Sequence, residues 1–145
     1  MAMPRTEEFS DDTSGEMVTH QLTVSTFTTA EVVTIDAGAT VAEAATAMAA
    51  AELGLLVVGT VADVDGVVSE RDVVRAVASG RDLASWRLRE LETTKLIWCD
   101  SSASVAEVAE QMLENYVRHV LVEEDGRLVG VVSARDLLGA YATGA

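Results

Sequence analysis

The segment Gly-Val-Val-Ser-X-Arg-Asp occurs twice in this chain, at Gly66–Asp72 and at Gly130–Asp136. Each copy brings a hydroxyl, a guanidinium and a carboxylate together just before a run of apolar residues. A helix that begins at such a serine presents backbone amides to an anion. The carboxylate can accept hydrogen bonds from the two adjacent hydroxyls of a ribose, and the guanidinium can neutralise a phosphate. The candidate ligand contacts are therefore Ser69, Arg71, Asp72, Ser133, Arg135 and Asp136.

The same spacing also describes a helix cap. The serine side chain can accept the amide of the residue three positions on, and an aspartate there favours the positive end of the helix. The motif therefore has two interpretations, a ligand site or a structural cap that needs no ligand.

A tandem repeat must position the two motifs. A shift of 64 residues aligns Asp36–Gly80 with Asp100–Gly144, and 17 of the 45 aligned positions are identical. Apolar spacing predicts amphipathic helices that begin near Val41 and Val105. Each repeat therefore consists of a short strand, a helix, a two-stranded hairpin and a second helix that begins at the motif serine.

Short runs rich in branched residues, Leu55–Val58 and Val120–Val122, predict buried strands. Asp125-Gly126 supplies the positive φ values of a tight hairpin turn. The predicted fold class is α/β (α+β), with two tandem βαββα repeats whose small sheets are pooled and flanked by helices. The predicted boundaries are a disordered acidic tail at 1–20, a first repeat at 21–80, a linker at 81–94 and a second repeat at 95–145.

Composition excludes several classes of protein. Ten basic residues against 24 acidic ones give a net charge of −14, which repels a nucleic acid backbone. No apolar stretch reaches the roughly 20 residues that span a bilayer, and the first 20 residues lack the features of a secretory signal. We therefore expect a cytoplasmic protein without nucleic acid or membrane partners.

The sequence offers no catalytic constellation and no metal site. Cys99 is the sole cysteine and the chain has two histidines, so neither a disulfide nor a thiolate zinc cluster is expected. No nucleophile and base pair or phosphate-binding loop of the P-loop type is evident. We expect a protein that is not an enzyme.

The repeats resemble a known family. YVRHVLVEEDGRLVGVVSARDLL at 116–138 and DGVVSERDVV at 65–74 are similar to the most recognisable stretch of the CBS domain. The whole resembles a stand-alone tandem pair, or Bateman module, over about residues 22–143. Two features depart from the family pattern. The first repeat has LGLLVVGTVADV in place of the usual basic strand, and Ala37 and Ser101 stand where a proline is common.

The resemblance implies a regulatory sensor that binds AMP, ADP, ATP or a related adenosyl ligand in clefts between the paired repeats. It assigns the motif residues to ligand contact and adds Arg118 and His119 as phosphate contacts, where the first repeat has Gly54 and Leu55. Further positions could line the base pocket or belong to the core: Thr34, Ile35, Trp98, Cys99, Val68 and Val132.

No cofactor is expected beyond the nucleotide, which Mg²⁺ could accompany. The resemblance also implies a homodimer, and the apolar stripe Val105, Val108 and Met112 is expected to need cover. An effector protein, which the sequence does not identify, could receive the signal. The alternative function is a ligand-free dimerisation or interaction scaffold, in which the motif residues only cap helices.

Overall fold

The computed structural model describes residues 22–27 and 32–144. The predicted disordered tail at 1–20 lies outside the described residues. Among the described residues, one compact unit comprises 32–96 and 125–129, and the other comprises 22–27, 97–124 and 130–144. We call these the first unit and the second unit.

The predicted α+β class and the βαββα order are confirmed in both repeats. The first repeat contains β1 (Thr34–Ile35), α1 (Val41–Ala51), β2 (Leu55–Gly59), β3 (Val64–Ser69) and α2 (Glu70–Ala78). The second contains β4 (Trp98–Asp100), α3 (Val105–Asn115), β5 (His119–Glu124), β6 (Arg127–Ser133) and α4 (Ala134–Gly144). Each repeat has its own three-stranded sheet, in the orders β1-β2-β3 and β4-β5-β6.

The central strand of each sheet pairs in parallel with the short first strand of its repeat. Thr34 lies opposite Val57, and Trp98 lies opposite Leu121, which are the same positions 64 residues apart. Strand β3 pairs antiparallel with β2, so that Leu55 lies opposite Ser69. The motif serines thus stand where the last strand of each sheet passes into a helix.

The predicted capping boxes are present at the first helix of each repeat. Thr40 accepts the amide of Glu43, whose carboxylate accepts the Thr40 amide at 2.8 Å. Ser104 and Glu107 make the equivalent pair of bonds before α3. These reciprocal bonds satisfy amides that a helix start otherwise leaves unpaired, which explains why both helices begin where the sequence predicts.

The two hairpins turn differently. Asp125 and Gly126 have φ values of 54° and 76°, as a two-residue turn requires, so this predicted turn is confirmed. The first hairpin instead has a longer loop at Thr60–Asp63 after a register shift at Gly59, whose φ is 112°. A side chain at Gly59 would lie 2.6 Å from the carbonyl oxygen of Asp63, so only glycine fits there.

Each unit has a core built from one face of its sheet and the helices that cover it. The apolar stripe Val105, Val108 and Met112, which the sequence suggested would need cover from a second copy, is already buried. Val108 and Met112 pack with Val120, Val122 and other residues of the second core. The stripe is therefore core and supplies no reason for dimerisation.

The segment predicted as a linker packs against the first unit. Leu88, in a 3-10 turn at Leu88–Glu90, is fully buried beside α1 and the sheet, and Trp86 packs against the same cluster. The Leu88 amide donates to the Ala39 carbonyl at 2.9 Å, and the backbone carbonyl of Trp86 accepts from the amide of Val41 at 2.8 Å. This segment therefore closes the start of α1.

Residues 22–24, which stand 64 positions before 86–88, do the same for the second unit. Val24 is fully buried and donates to the Ala103 carbonyl, while Leu22 accepts from Val105. The repeat therefore extends beyond the aligned 45 positions. No helix among the described residues is long and apolar enough to cross a bilayer.

Candidate functional site

Both motifs form the helix cap that their spacing predicts. Ser69 donates its amide to the Asp72 carboxylate at 2.8 Å, and its hydroxyl accepts the amide of Asp72 at 3.2 Å. In the second motif, the Ser133 amide donates to Oδ2 of Asp136 at 2.8 Å and its hydroxyl accepts the Asp136 amide at 3.0 Å. Both motifs therefore act as helix caps. A ligand could bind only through the atoms that the cap leaves without a hydrogen bond.

The cap reduces the number of amides available to an anion. The first helical amide is also taken in each repeat: Glu70 donates to the Gly54 carbonyl at 2.9 Å, and Ala134 to the Arg118 carbonyl at 2.8 Å. Within the first turn of α2 and α4, the amides of Arg71 and Arg135 have no partner among the described residues. A bound anion would therefore depend on side-chain cations more than on the helix terminus.

Asp136 keeps an unused acceptor. Both of its capping bonds involve its amide and its Oδ2 atom, and within the described part of the chain no hydrogen bond reaches Oδ1. The Arg135 side chain is exposed on the first turn of α4 and forms no ion pair with a described residue. The cap thus leaves one carboxylate oxygen and one guanidinium open to a ligand.

The backbone bond from Ala134 places Arg118 beside this motif. Arg118 is exposed, whereas His119, the first residue of β5, is partly buried. Burial and the neighbouring Arg118 charge lower the pKa of His119, and Asp136 opposes this effect. His119 is therefore mainly a neutral imidazole at pH 7, so the positive charges of this segment and of the motif are those of Arg118 and Arg135.

The first repeat has the opposite charge at the corresponding place. Gly54 occupies the position of Arg118, and a side chain there would lie 3.1 Å from Oε1 of Glu70. Glu70 itself corresponds to Ala134 of the second repeat. A carboxylate thus lies where the arginine side chain begins in the other repeat, so the two motifs differ in their charge.

The residues suggested for a base pocket do not join the motifs within either unit. Thr34 and Ile35 lie on β1, and Trp98 and Cys99 on β4, each separated from the motif strand by the central strand. Thr34 is exposed, Ile35 and Trp98 are partly buried, and Cys99 is buried.

Val68 and Val132 are fully buried in the cores of the two units. Their side chains pack against core residues, which favours the core interpretation of both positions.

The reactivity of Cys99 tests the packing of the core of the second unit. Burial is the main cause that raises the pKa of its thiol to about 11, and Asp100 adds to the effect. At pH 8 only about one molecule in a thousand then carries the reactive thiolate. We expect Cys99 to react with a thiol reagent at the rate of unfolding in the native protein and within seconds in urea. Rapid stoichiometric labelling of the native protein would contradict this placement.

The sequence did not reveal one backbone contact of the first motif. Thr93 pairs with Val67 of β3 through two backbone bonds of 2.8 and 3.0 Å. A side chain at Gly66 would lie 2.6 Å from the Thr93 carbonyl oxygen, which explains the glycine that opens the motif. The same segment carries Glu92, whose pKa is raised chiefly by burial and also by Asp65. An unexplained glycine within a strand was the available signal of this close approach.

Among the described residues, no three acidic, histidine or cysteine side chains are grouped as a metal site would require. The first motif has two carboxylates, Glu70 and Asp72, and the second has only Asp136. A divalent cation at either motif would therefore need oxygen ligands from a bound phosphate and water.

Comparison with known proteins identifies the repeats. The family model described as the CBS domain matches residues 24–79 and 88–143. The chain belongs to the CBS-domain family. Both matches begin at the buried residues Val24 and Leu88, each of which closes the start of a repeat helix. A pair of CBS domains is a regulatory module, and proteins of this family are generally regulators rather than enzymes.

Several known proteins are similar to this chain. An uncharacterized 17.7 kDa protein of Acidianus ambivalens is 35% identical over 119 residues, which cover 81% of this chain and 71% of that protein. The structure of a CBS domain protein of Pyrobaculum aerophilum, complexed with AMP, is 32% identical, with a TM-score of 0.72 and coverage of 84% and 99%. A hexameric CBS-CP12 protein from bloom-forming cyanobacteria is 30% identical, with a TM-score of 0.75 and coverage of 81% and 66%.

Proposed function

We propose that this CBS pair is a sensor that binds an adenosine-containing nucleotide, with the second motif as its phosphate-preferring site. The observation that supports the proposal is the backbone hydrogen bond from Ala134 to the Arg118 carbonyl, which joins an exposed arginine residue to the first residue of α4. The AMP complex of the Pyrobaculum aerophilum relative supports the choice of an adenine nucleotide.

Each side chain has a defined role in this proposal. The unused Oδ1 atom of Asp136 accepts from the ribose hydroxyls, while Oδ2 remains in the cap. Arg118 and Arg135 neutralise the phosphate, with the Arg135 amide as an additional donor. His119 is neutral and partly buried, so it offers a hydrogen bond and no charge.

The first motif is proposed as a weaker or more selective site. Ser69 and Asp72 repeat the cap and Arg71 repeats the cation, but Glu70 lies over Gly54 and repels phosphate. Thr34, Ile35, Trp98 and Cys99 remain candidates for base contact only. Mg²⁺ would enter with a polyphosphate ligand as its counterion.

We also propose that the module works as a homodimer in the cytoplasm. Large apolar side chains are exposed on α2 and α4, among them Val74 and Leu138. Burying them in an assembly would remove their apolar surface from water. A ligand-induced change would then reach an effector protein or the assembly itself. Along the sequence the proposed repeats are 21–80 and 95–145, although 22–24 pack with the second unit and 86–88 with the first.

A thermal denaturation series with adenine nucleotides tests the sensor. At a ligand concentration 100 times the Kd, binding stabilises the native state by roughly 2.7 kcal/mol. We expect AMP, ADP or ATP to raise the Tm by several degrees, adenosine to raise it less, and GTP to serve as the control nucleotide. If no adenine ligand, including S-adenosylmethionine, changes the Tm at millimolar concentration, the sensor proposal fails.

A ligand-free scaffold is the second candidate function, and the closed capping boxes favour it. Ser69 and Asp72 satisfy each other through three hydrogen bonds, so these residues have a sufficient structural role without a ligand. This candidate would replace the sensor if assembly persisted and no nucleotide bound.

A further inference from the structure

Residues 92–97 run from the first unit to β4 of the second unit, and we call them the joining segment. The segment begins against the edge of the first sheet, at the start of the first motif. Thr93 and Val67 exchange two backbone hydrogen bonds, in which the Thr93 amide donates at 2.8 Å and the Val67 amide at 3.0 Å. Ser69 lies two residues after Val67 on the same strand. This contact therefore connects the strand that ends in the first motif with the chain that leads into the second repeat.

Glu92, the neighbour of Thr93, brings a carboxylate into this contact. The residue as a whole is only partly buried, but its Oε1 atom is buried and has no hydrogen-bond partner among the described residues. A side chain at Gly66 would lie 2.5 Å from Oε1, so the glycine is what admits the carboxylate to the surface of β3. An ionised oxygen that is removed from water without a hydrogen bond costs free energy, whereas a protonated carboxyl group avoids most of that cost.

The charged groups around Glu92 do not remove this cost. Asp65, the residue before Gly66 on β3, adds a second negative charge, and Arg89 of the 3-10 turn opposes it. No ion pair joins Arg89 to Glu92, both of which lie in the described part of the chain. Strand β2 contributes no charge here, since its residue opposite Gly66 is Val58. The balance raises the pKa of Glu92, with burial as the main cause and Asp65 as the second.

From this geometry we propose that the attachment of the joining segment to β3 is a proton-sensitive contact, which tightens when Glu92 is protonated and loosens when it is ionised. Detachment returns Oε1 to water, so the attached form holds the proton more firmly than the detached form does. By linkage, the attachment is strongest below the ordinary carboxyl pKa of 4.5 and weakens as the pH rises toward the raised value. Mild acidification would thus fasten the strand of the first motif to the joining segment, with or without a nucleotide.

Amide hydrogen exchange measures this contact directly, because the Thr93 amide is one of its two donors. The Val57 amide on the central strand β2, which donates to the Val33 carbonyl, serves as the reference for the stability of the whole unit. After correction for the intrinsic pH dependence of exchange, the ratio of the Thr93 to the Val57 protection factor should rise roughly threefold or more between about pH 7 and about pH 5. A ratio that stays constant or falls would overturn the proposal.

Glu92→Gln is the decisive variant, because glutamine has nearly the same shape and does not titrate. Its ratio of Thr93 to Val57 protection should not change with pH. Asp65→Asn should reduce the pH dependence of the ratio, since it removes the charge that helps to raise the pKa of Glu92. Asp63→Asn makes the same change of charge in the exposed loop and should leave the pH dependence unaltered. If Glu92→Gln, shown to be folded by circular dichroism, keeps the pH dependence of the parent, the proposal fails.

Discussion

Replacing Asp136 by alanine is expected to lower nucleotide affinity roughly 10- to 150-fold, which corresponds to roughly 1.5–3 kcal/mol for a hydrogen bond to a charged group. The reason is that its Oδ1 atom has no partner among the described residues and is the acceptor proposed for the ribose hydroxyls. Isothermal titration calorimetry of the folded variant measures the effect. An unchanged affinity for every adenine ligand would contradict the ribose contact.

The repeat provides a matched control for this change. Asp72→Ala removes the same cap in the first unit, so both variants should lose about 1 kcal/mol of stability. Because Gly54 stands in the position of Arg118 and the Glu70 carboxylate lies over it, Asp72→Ala should alter nucleotide affinity less than threefold. Equal losses in the two variants would contradict the proposed asymmetry.

Arg118→Ala completes the set. This change removes a cation without touching the cap, since Ala134 bonds to the Arg118 backbone carbonyl and not to its side chain. AMP and ATP should lose more affinity than adenosine, and the salt dependence of binding should fall.

Leu88→Ala should be among the most destabilising single changes in the chain. Leu88 is 0% exposed and packs in the core of the first unit, although it belongs to the segment predicted as a linker. Truncation of a buried leucine typically costs 2–5 kcal/mol in the free energy of unfolding. Urea denaturation measures the loss, with Leu88→Met as the volume-conserving control that should cost less than about 1.5 kcal/mol. A loss below about 0.5 kcal/mol would mean that this segment does not pack as described.

The local structure of this protein could be predicted from its sequence. A 64-residue repeat with helical and strand periodicities predicted the βαββα order, because an amphipathic pattern specifies which face of an element must be buried. Capping pairs such as Thr40 and Glu43, and the Asp125-Gly126 turn, act through neighbouring residues and could be predicted at their positions. The resemblance to the CBS domain had the same basis, since its motif is itself a local cap.

Which surfaces are free could not be predicted from the sequence, because it depends on how distant segments pack. Val105, Val108, Met112 and the linker residue Leu88 are apolar residues that the structure buries. No local pattern in the sequence reveals which other segments they pack against. The same holds for Arg118, whose closeness to the second motif depends on a bond across 16 residues, and for Gly66, whose need for glycine depends on Thr93. The burial of a residue and the charge around it depend on segments that are distant in the chain. Those segments come together only when the chain folds.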